Sequence, residues 1–168
     1  MDRYHPAVMA ARYHNYTPFL FGSRGTQSLP QLFNMTMMAP EMKNGKAVYI
    51  ISPQWFVKEG VMPSAFKYYN GTYANLTWLK QANPDSPYDR YTAKRLVKLL
   101  GTEGSVANYA KKIADGKHLS SWDRTRIDME STLLKHEDEL FSGWFLKDNY
   151  NNRIQPRVKE LPKTYSYS

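Results

Sequence analysis

Two short strings hold the residue types on which chemistry could be built. The first is Thr17–Leu29, TPFLFGSRGTQSL, in which an apolar Phe19-Leu20-Phe21 meets Gly22-Ser23-Arg24-Gly25 and then Thr26-Gln27-Ser28-Leu29. It reads as a buried strand, a glycine-punctuated turn and a helix N-terminus. Such a turn offers backbone N–H groups beside the side chains of Gln27 and Ser28, and donors of this kind suit an oxyanion or a carboxylate. The spacing is not that of a Walker loop, a G-x-G-x-x-G fingerprint or a G-x-S-x-G elbow. A plain strand-to-helix connection, whose Gly and Ser only turn and cap, accounts for the same residues and is the commoner case.

The second string is Ser52-Pro53-Gln54-Trp55-Phe56, directly after an apolar run. A polar amide and two large aromatics at the carboxyl end of a strand could line a pocket beside the first turn. Phe56 reads better as core; for Gln54 and Trp55 pocket and core are equally open. The histidines, His5, His14, His118 and His136, are scattered, and His136 falls among Glu137-Asp138-Glu139 on what reads as a solvated helix face. No metal site and no cofactor are expected from them. Met35, Met37, Met38 and Met42 read as adaptable core packing. Asn15, Asn34, Asn70 and Asn75 each open an N-x-T sequon, which chance in an Asn-rich chain explains.

The elements that must position these residues follow from pattern. Pro6 opens an Ala-rich helical segment. After the glycine turn, Leu29, Leu32, Phe33 and Thr36-Met37 form the stripe of a helix packed on a sheet, ending at Asn44-Gly45. Lys46–Ser52, KAVYIIS, has the look of a parallel strand covered on both faces. Strand, helix and strand within about 35 residues make one βαβ unit. Beyond Pro53, proline punctuates helical segments at roughly 63–69, 73–81, 89–100, 106–114 and 121–145. Ser120 with Asp123 resembles a capping box for the last of these. Within it Ile127, Leu134 and Phe141 recur every seven residues beside Leu133 and Leu140, an apolar seam. The expected division is a partial sheet segment over 1–56, a helical region over 57–150 and a polar tail over 151–168. Two strands do not make an independently stable sheet, so the chain reads as part of something larger.

Bulk properties narrow the partners. Length and apolar content suit one domain, and the absence of cysteine excludes disulfides, thiolate nucleophiles and Cys-based zinc sites. The net charge of +8 favours anionic partners, most of it arising in residues 1–84, with eight Lys/Arg against three Asp/Glu. No run of consecutive bases stands out, so nucleic acid is not expected. No apolar stretch approaches the roughly 20 residues of a membrane helix, and the sequence as it stands reads as a soluble polypeptide.

Several strings resemble the DltD family, the D-alanine transfer proteins of Gram-positive bacteria. They are His5-Pro6-Ala7-Val8, Tyr16-Thr17-Pro18-Phe19-Leu20, Gly25-Thr26-Gln27-Ser28-Leu29, the long string from Lys46 to Phe56, Ala65-Phe66, Arg90–Leu96 and Trp144-Phe145-Leu146-Lys147. The resemblance implies an α/β fold: part of an SGNH-hydrolase-like, flavodoxin-like parallel sheet with a predominantly helical extension. It implies a serine acyltransferase, thioesterase or esterase chemistry in D-alanine esterification of lipoteichoic acid. Such proteins act at the extracytoplasmic face of the cell membrane, held by an anchor absent from this chain, with teichoic acid or the D-alanyl carrier and transfer machinery as partners. The Gly-Ser-Ser-Glu nucleophile and the late Asp-x-x-His pair are expected outside this chain, so no residue is assigned as catalytic. Gly25, Gln27 and Ser28 would stand on the oxyanion side, with Gln54 and Trp55 near the following block, where the family type usually has Asn. A non-enzymatic binding module for an anionic polymer or a protein partner is the alternative. A homo-oligomer formed through an exposed sheet edge would complete the sheet.

Overall fold

Proline and small polar residues set where helices begin, and glycine marks where one of them stops and the next starts. The computed structural model describes residues 27–56, 58 and 60–149. Among these run α1 (Ser28–Met38), α2 (Pro63–Tyr69), α3 (Thr72–Gln81), α4 (Pro87–Leu100), α5 (Ser105–Ala114) and α6 (Ser121–Asn149), with short 3-10 turns at Ala39–Met42 and Pro53–Trp55. Pro63 and Pro87 take first-turn positions, where the missing N–H costs nothing. Ser86 caps α4 by accepting from the Asp89 N–H at 3.3 Å, and the Asp89 carboxylate accepts from the Asn83 N–H at 2.9 Å. α4 ends at Gly101 and α5 begins after Gly104, with φ of +88° and +96°, a region that glycine enters without a Cβ clash.

The helices converge on one apolar core. α1 packs on α3, α4 on α5, α2 on α4, and α3 meets both α5 and α6. Phe33, Phe66, Leu76, Leu79, Leu96, Ile113 and Ile127 are fully buried. Each such side chain contributes roughly 1.5–3 kcal/mol by leaving water. The Phe33 and Trp78 rings meet at 5.3 Å and 54°, which ties α1 to α3. Polar links join α6 to the rest: Lys80 pairs with Asp128, Ser105 donates to Glu130 at 2.8 Å, and Tyr109 donates to the same carboxylate at 3.5 Å.

The helical segments expected beyond Pro53 are all present, α2 with the expected limits and the others extended by a few residues. The sheet is not. No strand forms among the described residues, which corrects the α/β, parallel-sheet expectation. Lys46–Ser52 has β-branched composition, but a strand is a pairing relation, and this segment has no ladder partner among the described residues. Val48 is 90% exposed, and Ile50 and Ile51 are exposed beside it, so neither face is covered. The strand expected at Phe19–Gly22 lies outside the described residues. A dimer through a sheet edge loses its basis with the sheet.

Candidate functional site

The residues singled out at the first helix start and after the apolar run are brought toward each other by a residue between them. Gln27 is the N-cap of α1 with extended backbone, and its side chain makes no capping bond. The amides of Ser28 and Leu29 therefore stand at the positive end of the helix without a side-chain partner from the cap, while Pro30 has no N–H to offer. Pro30 is buried and Leu29 packs against the core, which anchors this turn.

The Pro53–Trp55 turn is closed by the Trp55 N–H on the Ser52 carbonyl at 3.0 Å and the Phe56 N–H on the Pro53 carbonyl at 3.1 Å. Gln54 lies at the centre of that turn. Tyr49 bridges the two strings: its hydroxyl donates to the Ser28 carbonyl at 3.4 Å, and its ring meets the Trp55 ring edge-on at 6.4 Å. Partial burial holds the Tyr49 phenol above its usual pKa of 10.0, so it remains a neutral donor. A strand assignment for Lys46–Ser52 hides this role of Tyr49. Its one detectable signal in the sequence is a polar-tipped aromatic in an otherwise aliphatic run. Gly25 lies outside the described residues. Phe56, expected in the core, is exposed.

The sequence contains two Asp-x-x-His strings, Asp2–His5 and Asp115–His118. The first is outside the described residues. In the second, Asp115 is the C-cap of α5, and exposed His118 faces exposed Asp85 at 3.5 Å. That is a surface ion pair in a helix connection, with no serine hydroxyl bonded to it.

The most strongly perturbed acid of the described residues lies at the start of α6. The Ser120 Oγ accepts from the Asp123 N–H at 3.1 Å, and the Asp123 carboxylate accepts from the Ser120 N–H at 2.9 Å and the Ser120 hydroxyl at 2.8 Å. Lys112 of α5 donates to both carboxylate oxygens, at 2.7 and 2.8 Å. The Lys112 and Ser120 hydrogen bonds outweigh burial and lower the Asp123 pKa to about 2. This is the capping box expected from sequence, with a lysine fastening it to the neighbouring helix. Every partner of Asp123 is a helix-end or helix-joining group, so its work is structural.

Comparison with known proteins assigns the chain. A family model described as DltD protein matches residues 1–168. The chain belongs to the DltD family. Protein DltD of Lacticaseibacillus rhamnosus is 37% identical over 169 residues, which cover 98% of this chain and 40% of that protein. Protein DltD of Bacillus subtilis (strain 168) is 32% identical over 111 residues, covering 66% of this chain and 27% of its own length. The chain thus spans about two fifths of the first DltD relative and less of the second.

Proposed function

We propose that this chain is part of a D-alanine transfer protein that takes part in esterifying lipoteichoic acid with D-alanine in the Gram-positive cell envelope, at the outer face of the membrane. The observation that carries this reading is the DltD match along all 168 residues. Within the chain, Gly25, Gln27 and Ser28 form the oxyanion-side wall, and Gln54 and Trp55 form the adjoining wall. Tyr49 holds the two walls in register through Ser28 and Trp55. The nucleophile and its acid–base partner come from family sequence outside the matched region. The net charge of +8 suits a polyanionic acceptor and the transfer machinery that handles it.

The test is a full-length Lacticaseibacillus rhamnosus DltD whose matched region is replaced by this chain, introduced into cells lacking their own copy. The readout is the D-alanyl ester content of teichoic acid. Ester content should be restored, and Gln27→Ala should lower it by roughly 10²-fold or more, the scale of a lost oxyanion donor. A stably expressed chimera that restores nothing overturns the reading.

A second reading, an anionic-polymer binding module, is favoured by the exposed basic and tyrosine side chains of α4: Arg90, Lys94 and Lys98 with Tyr88 and Tyr91. Titration of the 168-residue chain with purified teichoic acid across a salt series tests it. Binding that weakens steeply with salt supports it, and no binding at low salt ends it.

A further inference from the structure

Two Asn-Gly pairs occur in the sequence, Asn44-Gly45 and Asn70-Gly71, and the fold treats them differently. Such a pair carries both partners of an intramolecular reaction. The asparagine side-chain amide offers a carbon open to attack, and the next backbone nitrogen belongs to a residue with no Cβ to crowd it. Holding the two in one chain makes the attack effectively unimolecular. Ring closure turns the glycine nitrogen toward the asparagine side chain by rotation about the asparagine ψ. Because the peptide unit is planar, that rotation swings its C=O and N–H together. A plane whose groups are hydrogen-bonded resists the swing; a plane whose groups are free does not.

At Asn44-Gly45 the plane is held. The Gly45 N–H donates to the Met42 carbonyl at 2.8 Å, closing the turn after Ala39–Met42. The same carbonyl oxygen lies 3.0 Å from where a Gly45 Cβ would stand, so the space is tight as well. At Asn70-Gly71 the plane is free. Asn70 is the C-cap of α2, with φ −91° and ψ 120°, and Gly71 is the N-cap of α3. Only their outer groups are bonded: the Asn70 N–H donates to the Phe66 carbonyl at 2.9 Å, and the Gly71 carbonyl accepts from the Asn75 N–H at 3.3 Å. The Asn70 carbonyl and the Gly71 N–H between them have no hydrogen-bond partner among the described residues, and neither has the Asn70 side-chain amide. Asn70 is half-buried and Gly71 exposed, and beyond its chain neighbours no heavy atom lies within 4 Å of where a Gly71 Cβ would stand. Asn34, Asn75 and Asn108 lie inside helices, where the amide that follows each belongs to the helix ladder.

We propose that Asn70 is a self-modification site, at which the Gly71 amide nitrogen displaces the Asn70 side-chain nitrogen as ammonia and water then takes its place. The Gly71 nitrogen gives its proton to hydroxide and bonds to the Asn70 Cγ. The Cγ–Nδ2 bond breaks, and Nδ2 leaves as ammonia with a proton from water, which regenerates the hydroxide and leaves a five-membered cyclic imide. One water then opens the imide. Opening at Cγ gives aspartate with an ordinary backbone; opening at the main-chain carbonyl gives an isoaspartyl link through Cγ. One water is consumed and one ammonia released, with no oxidant or reductant. Either product places a negative charge between the end of α2 and the start of α3, whose first turn has no acidic residue. The isoaspartyl link also adds a methylene to the main chain between Phe66 and Leu76, both fully buried. Water is the sole co-reactant, so the reaction runs in the 168-residue chain by itself.

The test ages the folded chain in warm, mildly alkaline buffer beside a sample unfolded in guanidinium chloride. Peptide mass mapping follows the exchange of –NH2 for –OH at each asparagine, and an isoaspartyl methyltransferase assay counts the isoaspartyl product. In the folded chain Asn70 should convert roughly three- to tenfold faster than Asn44, the factor that the net free energy of one hydrogen bond makes. In the unfolded chain the two rates should come together, because the fold alone separates them. Gly71→Ala should remove most of the conversion at Asn70 while leaving the circular dichroism spectrum unchanged. Asn44 keeping pace with Asn70 in the folded chain overturns the proposal. So does an Asn70 that converts only after unfolding, a rate ratio that is the same folded and unfolded, or a Gly71→Ala chain that converts as fast as wild type.

Discussion

At the scale of single residues, the start of α6 shows how a polar cluster can be structural through and through. Asp123 is buried, yet its carboxylate accepts four hydrogen bonds: from the Ser120 amide and hydroxyl and twice from Lys112. With its pKa at about 2 against an ordinary 3.8, the carboxylate stays charged in the fold at pH values where it would be protonated in the unfolded chain. The sign follows from linkage. The stabilisation is complete above the unfolded value and disappears as pH falls through the folded one. Urea denaturation of wild type and Asp123→Asn should therefore differ clearly at about pH 6 and converge as pH approaches ~2. Ser120→Ala should cost about 1 kcal/mol at neutral pH, the value of a lost N-cap. Equal denaturation midpoints for Ser120→Ala and wild type would contradict this account. This cluster was legible in sequence because capping is local: a few neighbouring residues suffice to specify it. Tyr49 was not legible, because its contacts to Ser28 and Trp55 depend on where a turn returns the chain.

At the scale of elements, legibility divides between helices and strand: upstream of Pro53 the helix expected after the glycine turn is present as α1, whereas the strand expected at Lys46–Ser52 is not. Downstream, each helix carries local punctuation that agrees with its apolar period: Pro63, Ser86-Pro87, Gly101 and Gly104, Ser120. Such agreement between levels leaves little for tertiary context to override. Upstream, KAVYIIS has strand composition, but composition registers only fitness for a pleated surface, and the pairing that makes a strand must come from another segment. The α4–α5 connection tests the downstream logic. Gly101 has φ +88° and ψ −163°, and Gly104 has φ +96° and ψ +163°. That conformation is nearly confined to glycine. Open space surrounds the position a Cβ would take at either site, so crowding is not the issue. Gly101→Ala and Gly104→Ala should each lower stability by about 1–3 kcal/mol through backbone strain alone. Gly71 has an ordinary negative φ of −77° and equally open surroundings. Gly71→Ala should change stability by less than about 1 kcal/mol, because the weaker N-cap that Ala gives α3 is opposed by the entropy it removes from the unfolded chain. Thermal unfolding of the three variants separates backbone conformation from space as the cause.

At the scale of the whole molecule, one apolar segment takes no part in the core. Val48, Ile50 and Ile51 are exposed within a window that has no charge between Ala47 and Ser52, no proline and high β-propensity. Those are the features of a segment that pairs with its own kind when free. The chain spans two fifths of its first DltD relative, and this surface is one that a longer polypeptide has reason to cover. In the 168-residue chain it is a liability instead. A charge placed there should act on association and not on folding, since an exposed side chain contributes little to the native state. Ile50→Lys should raise the protein concentration at which light scattering first appears on warming, while its urea midpoint stays within about 0.5 kcal/mol of wild type. The same substitution at buried Leu76 would unfold the core, so the contrast measures exposure directly. If Ile50→Lys shifts the urea midpoint as far as a core substitution does, then the segment is packed in solution and the core takes in the stretch between α1 and α2.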